Sequence, residues 1–165
     1  VVRAALFHNS FFDLIDFDEG PPPQLVNRSA VTAKGFELSG DVQASSDLTL
    51  GGHLSYTKTN IDGTAEELRN RPEWRAGGDV LWRPRGDVTI ALDAFYVGEV
   101  QDSSIATGDR TLDGYFRIDI AATWIPLPDV ELSLAIDNLL DAEFEETAGF
   151  PGVGVRPRLI ARFTF

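Results

Sequence analysis

Several features are missing or scarce in this chain of 165 residues, and each absence excludes a kind of site, structure or partner. There is no cysteine, which excludes a disulfide framework and a thiolate metal site. No stretch approaches the roughly 18 to 20 consecutive apolar residues that a membrane-spanning helix needs. Positive charge is scarce, with 14 Lys and Arg against 26 Asp and Glu and a formal net charge of −12. Because nucleic-acid binding depends on basic side chains that neutralise phosphates, we predict no nucleic-acid partner.

The length indicates a single domain over residues 1–165. The chain begins Val1-Val2-Arg3, without methionine and without a signal peptide. It is therefore expected to be a processed, trimmed or partial product.

Apolar and polar residues alternate with a period of two, and helical periodicity is nearly absent. This pattern predicts half-exposed β-strands. Eight strands are predicted, over residues 2–16, 30–44, 48–57, 73–82, 88–97, 115–124, 130–137 and 157–165.

The connections between these strands alternate in length. Three are short turns, at 45–47, 83–87 and 125–129. Four are long loops, at 17–29, 58–72, 98–114 and 138–156, and Pro21, Pro22 and Pro23 stiffen the first of them. Short turns at one end and long loops at the other are typical of an antiparallel, up-and-down transmembrane β-barrel, with periplasmic turns and external loops.

Aromatic residues mark both ends of the apolar face. Those at the long-loop end are Tyr56, Trp74 and Tyr96, and those at the short-turn end are Trp82, Trp124 and Phe165. Two such bands are typical of the aromatic girdles that lie at the headgroup level of a membrane barrel. The alternative is a soluble β-sandwich or barrel, whose core would place its bulkiest side chains nearer the middle of each strand.

The opposite face carries charges of both signs. These predicted lumen residues are Arg75, Asp79, Asp93, Arg117, Asp119, Glu131, Arg158 and Arg162. They would either form an ion-pair network that fills a narrow lumen or line the wet wall of a large barrel, and both interpretations stay open.

The last third of the chain carries a motif. Asn138, Leu139 and Asp141 are followed by Pro151 and Gly152. These positions resemble the Asn-Leu-x-Asp and Pro-Gly signature before the last strand of TonB-dependent outer-membrane receptors. The aromatic ending, with Phe163 and Phe165, resembles the terminal signal that the outer-membrane assembly machinery recognises in that superfamily.

The resemblance implies the last eight strands of a 22-stranded barrel in the outer membrane of a Gram-negative bacterium. It implies uptake of a siderophore or similar nutrient, with outer-membrane lipid, lipopolysaccharide and the assembly machinery as partners. The chain contains neither a plug domain nor a TonB box, so TonB is a partner only if a plug lies upstream. No cofactor is implied.

A second hypothesis comes from the even number of strands, because eight antiparallel strands can close into a small barrel. Closure would pair 2–16 with 157–165. Such a barrel, natural or engineered, would have a structural or small-pore role without TonB-driven transport.

Catalytic and metal-binding interpretations are weaker. His53 and Ser55 share one face of a strand, but a hydrolase also needs contact between them and an orienting acid. Two acidic clusters lack the spacing of an EF-hand and are interpreted as solvated external loops, bridged by divalent ions to lipopolysaccharide. Their members are Asp141, Glu143, Glu145 and Glu146 in one, and Asp62, Glu66 and Glu67 in the other. We therefore predict no catalytic, cofactor or metal residue, and no enzyme.

Overall fold

The computed structural model describes residues 1–18, 24–64, 68–104 and 106–165. Eight of its strands form one sheet: β1 (Val2–Asp18), β2 (Gln24–Gln43), β3 (Leu48–Ile61), β4 (Trp74–Arg85), β5 (Val88–Val97), β8 (Tyr115–Leu127), β9 (Val130–Asp137) and β12 (Arg156–Phe163). Two hairpins complete the described strands: β6 (Val100–Ser104) with β7 (Gly108–Leu112), and β10 (Glu145–Thr147) with β11 (Phe150–Pro151). No helix in these ranges is long and apolar enough to cross a membrane.

The main sheet is an antiparallel meander in the order β1-β2-β3-β4-β5-β8-β9-β12. Each strand pairs with the one that precedes it in the sheet, and only the loop hairpins interrupt the sequence order. The predicted all-β, antiparallel, up-and-down fold is confirmed.

The predicted number of strands is too low, because the described residues form twelve strands rather than eight. The four additional strands lie in the loops 98–114 and 138–156. They form local hairpins. Gly108, the first residue of β7, and Gly149, in the turn between β10 and β11, have φ values of 67° and 85°, a backbone conformation that glycine adopts without strain. Polar hairpins of this kind carry no apolar alternation, so the sequence pattern does not distinguish them from loops.

Several strand ends also differ from the prediction. The first long loop is mostly strand, because β1 continues to Asp18 and β2 begins at Gln24, with Asp18 opposite Gln24. Backbone pairing needs no apolar face, so it extends beyond the alternating segment. The last strand ends at Phe163, and Phe165 lies beyond it, fully exposed. The predicted residues Pro21–Pro23, Glu66 and Glu67 lie outside the described residues.

The eight-stranded sheet is open, so the predicted pairing of 2–16 with 157–165 is wrong. β1 and β12 form its two edges, and no pairing joins them within the described strands. A closed eight-stranded barrel fills its interior with side chains. Here inner-face residues such as Asp79 and Asp93 are exposed.

Burial is concentrated at the long-loop end of the sheet. The buried apolar side chains among the described residues are Val31, Ile61, Leu112 and Ala148. Val31 and Ile61 face each other across β2 and β3, and Leu112 and Ala148 belong to the loop hairpin and the last loop. The sheet is therefore a wall with two accessible faces, and its packed part lies under the loops.

Candidate functional site

One face of the sheet is apolar and carries the aromatic residues at its ends. At the long-loop end Phe36, Tyr56 and Trp74 are in contact, with ring centroids 6.0 Å apart for Phe36–Tyr56 and 4.6 Å apart for Tyr56–Trp74. Tyr96 lies opposite Phe116 on the same face, and both are exposed. The predicted residues at this end therefore form an aromatic band, half-buried at Tyr56 and exposed at Trp74 and Tyr96. That the band contacts lipid headgroups stays a prediction.

The second aromatic band lies at the short-turn end. Trp82 and Trp124 are about half exposed, and the indole Nε1 of Trp124 donates to Oδ2 of Asp87 in the β4–β5 turn at 3.0 Å. Trp74 and Trp82 are eight residues apart on one strand, which is about 27 Å of extended chain. At a tilt of about 40° this spans about 20 Å along the normal, close to the apolar band of a membrane barrel.

The other face carries a row of aspartates at one level of the wall. Asp79 on β4 lies directly opposite Asp93 on β5, and Asp93 lies opposite Asp119 on β8. The row continues through Gly51 to Asp41 on β2. Like charges directly opposite each other repel, so this part of the wall is held in an unfavourable electrostatic arrangement.

Cations neutralise the aspartates at the two ends of this row but not the two at its centre, Asp79 and Asp93. Arg117 Nη2 lies 2.9 Å from Asp119 Oδ2, and Arg3 Nη1 lies 3.9 Å from Asp41 Oδ2. Among the described residues no cation lies within ion-pair distance of Asp79 or Asp93. The wall is thus partly paired, which differs from a complete ion-pair network.

The remaining predicted lumen charges share this face by register and strand alternation. Arg162 pairs with Glu131 at 3.1 Å, and Arg158 pairs with Asp137 at 2.7 Å. Arg75 lies opposite Val97 at the loop end, and no carboxylate of the described chain lies within ion-pair distance of it. That these residues line a water-filled lumen stays a prediction.

Asn138 holds together the corner between β9 and β12. It is 1% exposed and adopts a φ of 51°. Its Nδ2 donates to the carbonyls of Ala142 and Val153 at 2.9 and 3.1 Å, and its Oδ1 accepts from Ala142 N at 2.9 Å. Its own N–H donates to Asp119 Oδ1 at 2.7 Å, which links the motif to the charged face. This buried asparagine therefore binds backbone groups on both sides of the last loop.

The other motif positions serve the same corner. Asp141, also at a φ of 51°, accepts a hydrogen bond from Val155 N at 2.9 Å, and Leu139 N donates to Ile118 O at 2.7 Å. The ring of Phe144 lies directly over Gly152, where a Cβ atom would collide with it. Pro151 lies opposite Glu145 in the small β10–β11 hairpin. The structure thus brings the predicted motif residues together as one loop support.

Asp102 connects three long loops, and sequence reasoning missed it. It is 3% exposed on β6 and accepts hydrogen bonds from Ala148 N at 2.7 Å and from Asn70 Nδ2 at 3.2 Å. Asn70 belongs to loop 58–72 and Ala148 to loop 138–156. No local pattern marks this aspartate, because both partners are more than thirty positions away.

A groove of about 630 Å³ lies on the charged face at the loop end. Its lining combines the guanidinium groups of Arg117, Arg156 and Arg158 with the carboxylates of Asp119, Asp137 and Glu146 and the ring of Phe144. Arg117 is paired with Asp119, and Arg156 and Arg158 are both paired with Asp137, so the charges of the groove are largely balanced. The rings of Phe144 and Tyr115 stack at 4.3 Å between centroids. Charged groups of both signs beside aromatic rings suit a polar ligand that carries flat rings.

Two residues beside this groove, Arg117 and Tyr115, are influenced by their neighbours, one in its position and the other in its pKa. Arg117 Cζ lies 4.3 Å from the centroid of the Phe95 ring, which holds the guanidinium in place. Tyr115 lies on the loop side of the aromatic band, where burial and then the Glu146 carboxylate raise the pKa of its phenol. The phenol is therefore neutral at physiological pH and remains a hydrogen-bond donor.

The weaker interpretations gain no geometric support. His53 and Ser55 lie on the charged face, but no hydrogen bond joins them in the described structure. No group of three or more potential ligands among the described residues could hold a metal ion. In the acidic cluster of the last loop, Glu145 binds Arg110 at 3.2 Å and Gly149 N at 3.1 Å, a structural role.

Comparisons with known proteins identify this architecture. The family model described as TonB dependent receptor-like, beta-barrel matches residues 1–139. A comparison with curated protein sequences finds no significant match.

Three solved receptors share the strand arrangement. The closed form of the ferric-catecholate import receptor Fiu from E. coli K12 gives a TM-score of 0.80 at 18% identity, covering 99% of this chain and 25% of the receptor. The siderophore receptor PiuA from Acinetobacter baumannii gives 0.77 at 19% identity, covering 98% and 26%. The ferripyoverdine receptor of Pseudomonas aeruginosa gives 0.78 at 13% identity, covering 98% and 24%.

At these identities the likeness shows the fold, and the chain spans about a quarter of the length of each receptor. Relatives of this kind are receptors and transporters rather than enzymes, and members of the family are outer-membrane proteins of Gram-negative bacteria. Because the family model extends over most of the chain and the solved receptors share its sheet, this chain belongs to the TonB-dependent receptor family and forms part of the β-barrel.

Proposed function

We propose that the chain is the C-terminal barrel portion of an outer-membrane receptor that takes up a siderophore or a similar nutrient with energy from TonB. The observation that carries this proposal is the open sheet itself. Its outer face is apolar with an aromatic band at each end, its inner face is charged, and both edge strands need partners. Solved siderophore receptors contain the same sheet as a quarter of their chains.

In this proposal the chain supplies eight strands of the barrel wall and the four long connections at its external end. The groove that contains Arg117, Arg156, Arg158, three carboxylates and the ring of Phe144 supports a polar ligand with flat rings. Coupling to TonB requires a plug domain, which would be encoded upstream. Phe163 and Phe165 are proposed as the assembly signal, and the exposure of both side chains suits recognition by another protein.

The test is uptake by the full-length protein that contains this chain. We expect it to fractionate with the outer membrane and to restore uptake of an iron-55-labelled siderophore in a Gram-negative strain that lacks its own siderophore receptors. A panel of catecholate, hydroxamate and mixed siderophores covers the ligand classes. Uptake should disappear in an isogenic strain without TonB.

A matched pair of variants connects uptake to the groove. Arg117→Gln removes a guanidinium from its lining, whereas Arg83→Gln removes an exposed arginine at the short-turn end of β4. Reduced ligand binding for the first variant alone supports the proposal. Full-length protein that assembles in the outer membrane but takes up no siderophore of the panel would overturn it.

A further inference from the structure

A small pocket lies on the charged face at the loop end, next to the groove, with which it shares Glu146. Its volume is about 310 Å³, which is within the range of pockets that bind small molecules. Arg75, Val97 and Tyr115 lie side by side on β4, β5 and β8 and form its floor. Residues of three external loops, among them Asp113 and Glu146, complete its lining. The pocket is therefore bounded by the sheet on one side and by the loops on the other.

Arg75 differs from the other arginines of the charged face because its charge is not paired. The others form ion pairs with carboxylates: Arg3 with Asp41, Arg117 with Asp119, Arg156 and Arg158 with Asp137, and Arg162 with Glu131. No carboxylate of the described residues lies within ion-pair distance of Arg75, whose side chain is exposed. A guanidinium group that the protein does not neutralise is available to a carboxylate from outside.

Two carboxylates of the pocket, those of Asp113 and Glu146, are also unpaired. Neither lies within ion-pair distance of a cation in the part of the chain that the structure describes. The third carboxylate of the lining, that of Glu145, binds Arg110 and Gly149 N. The pocket therefore contains more unpaired negative charge than positive charge, which disfavours a purely anionic ligand.

The positive and negative charges are held at opposite ends of the pocket floor. Val97 lies between Arg75 and Tyr115 in the register, so the strands of these two residues are two spacings, or about 10 Å, apart. The lining between them is apolar, since Val97 and Val100 are half-buried and Pro72 is buried. A ligand that reaches both ends therefore needs charged groups on a short apolar skeleton.

Tyr115 is fixed at the end of the floor nearest Glu146. Its ring packs edge-on against Phe95, with centroids 6.3 Å apart, and stacks on Phe144, with centroids 4.3 Å apart. Burial and then the Glu146 carboxylate raise the pKa of the phenol, so the phenol stays protonated at physiological pH. Tyr115 thus adds a neutral polar group between the cation and the carboxylate and does not neutralise either.

We infer that this pocket binds a zwitterionic, amino-acid-like group, with its carboxylate on Arg75 and its ammonium on Glu146 and Asp113. The group belongs either to a short peptide or to one end of the nutrient in the adjoining groove, and the chemistry that binds it is the same. The inference rests on the proposed function, which places these loops at the surface of an uptake receptor, and it adds a ligand class that the proposed function leaves open.

Isothermal titration calorimetry of the purified full-length protein in detergent tests the inference with three probes. Glycyl-leucine carries both charges, its C-terminal amide carries only the ammonium, and N-acetyl-glycyl-leucine carries only the carboxylate. We expect the zwitterion to bind at least about tenfold more tightly than either blocked form, because each blocked form loses hydrogen bonds to a charged group. Equal affinities of the three probes, or no heat from glycyl-leucine at millimolar concentration, would overturn the inference.

Variants assign the two ends of the pocket. Arg75→Gln should abolish the preference for the zwitterion over the amide, and Glu146→Gln with Asp113→Asn should abolish the preference over the acetylated form. Arg83→Gln, at the short-turn end, and Glu143→Gln, at an exposed position of the same loop outside the pocket lining, should keep both preferences. Both preferences unchanged in the folded pocket variants would also overturn the inference. The comparison of probes uses the unmodified protein, so it is decisive even if a variant does not fold.

Competition identifies the source of the zwitterion. If a siderophore of the panel displaces glycyl-leucine, the pocket binds one end of the nutrient. If both bind together, the pocket binds a separate peptide, and both results agree with the inference. The measurement needs neither TonB nor uptake. Uptake without glycyl-leucine binding would overturn this inference alone, and glycyl-leucine binding without uptake would overturn only the proposed function.

Discussion

Asn138 shows what a single residue contributes to this wall. Its buried side chain makes three hydrogen bonds to the backbone of Ala142 and Val153, and its own backbone occupies a left-handed conformation. Asparagine suits both demands, because it tolerates positive φ and carries a donor and an acceptor on one short side chain.

We predict that Asn138→Gly lowers the free energy of unfolding by about 2–4 kcal/mol. Glycine accepts the same φ, so the loss in excess of that in a matched glycine variant reports the hydrogen bonds. Urea unfolding of the full-length protein in detergent, followed by gel mobility with and without heating, measures it. Asp13→Gly is the matched control, since Asp13 has a φ of 55° but an exposed position. An unchanged urea midpoint for Asn138→Gly would contradict the assignment.

The importance of Asn138 and Asp141 was predictable from the motif, but their partners were not. Val153 is 15 positions from Asn138, and Asp119 is 19 positions away. Which carbonyl meets which amide depends on the path of the last loop, and no short-range pattern encodes that path. Asp102 was missed for the same reason, because its role arises only when three loops meet.

At the scale of elements, three of the four external loops form one connected structure rather than independent segments. Asp102 joins the β6–β7 hairpin to Asn70 and Ala148, and Arg110 on β7 pairs with Glu145 on β10 at 3.2 Å. Hydrogen bonds to a buried carboxylate are stronger than neutral ones, so this connection restrains all three loops together.

Replacing Asp102 with alanine is expected to loosen these loops while the sheet stays intact. Hydrogen exchange should become at least about tenfold faster in residues 98–114 and 138–156, which corresponds to a loss of more than about 1.4 kcal/mol of local stability. Exchange in β4 and β5 should not change. Asp109→Ala, an exposed position in the same hairpin, is the control. Equal effects of the two variants would show that Asp102 has no special role.

The assignment of the two faces is testable on β5. In a full-length protein without other cysteines, a spin label on Leu92→Cys should relax faster with oxygen, which partitions into lipid. A label on Ala91→Cys should respond more to a water-soluble nickel chelate. The two positions are adjacent and point to opposite faces. The opposite pattern would exclude a lipid-facing apolar side and with it the girdle and lumen predictions.

The main strands were predictable because an apolar and a polar face that alternate along a strand leave a period of two in the sequence. The limits of β5 and β9 agree with the prediction at both ends. The prediction failed where pairing extends beyond the apolar face. The ends of β1 and β2 and both loop hairpins pair through their backbones without such a face, so their pairing leaves no periodic signal.

For the whole molecule, the open edges of the sheet are the dominant feature. β1 and β12 each present an unpaired row of N–H and C=O groups. Each such group costs several kcal/mol in lipid, so the sheet requires neighbouring strands from outside this chain.

We therefore expect residues 1–165, refolded alone in detergent, to give no heat-modifiable band on a gel. The full-length protein treated in the same way should give one. Circular dichroism of the isolated chain is the control. It shows whether β-structure is absent, or present only in aggregates, when the gel gives no heat-modifiable band. A compact, heat-modifiable species from the isolated chain would contradict this expectation and restore the closed eight-stranded hypothesis.

Closure was not predictable, because it depends on strands that the sequence does not contain. Eight alternating segments are compatible with a small closed barrel and with a portion of a large one. Alternation reports which face is apolar, whereas the number of strands around the barrel is set by the whole polypeptide.

The corner at Asn138 also has a consequence for the order in which the strands fold. Its partners Asp119, Ala142 and Val153 are near in the chain, so little chain entropy is lost when they meet. We expect β8, β9 and β12 to nucleate folding before the free edge of β1 pairs with a strand outside this chain. During refolding of the full-length protein, pulsed hydrogen exchange should show protection of 115–163 before the edge amides of β1 that point away from β2, and simultaneous protection would contradict this order. The C-terminal end would then act as a template on which the wall grows backwards along the chain.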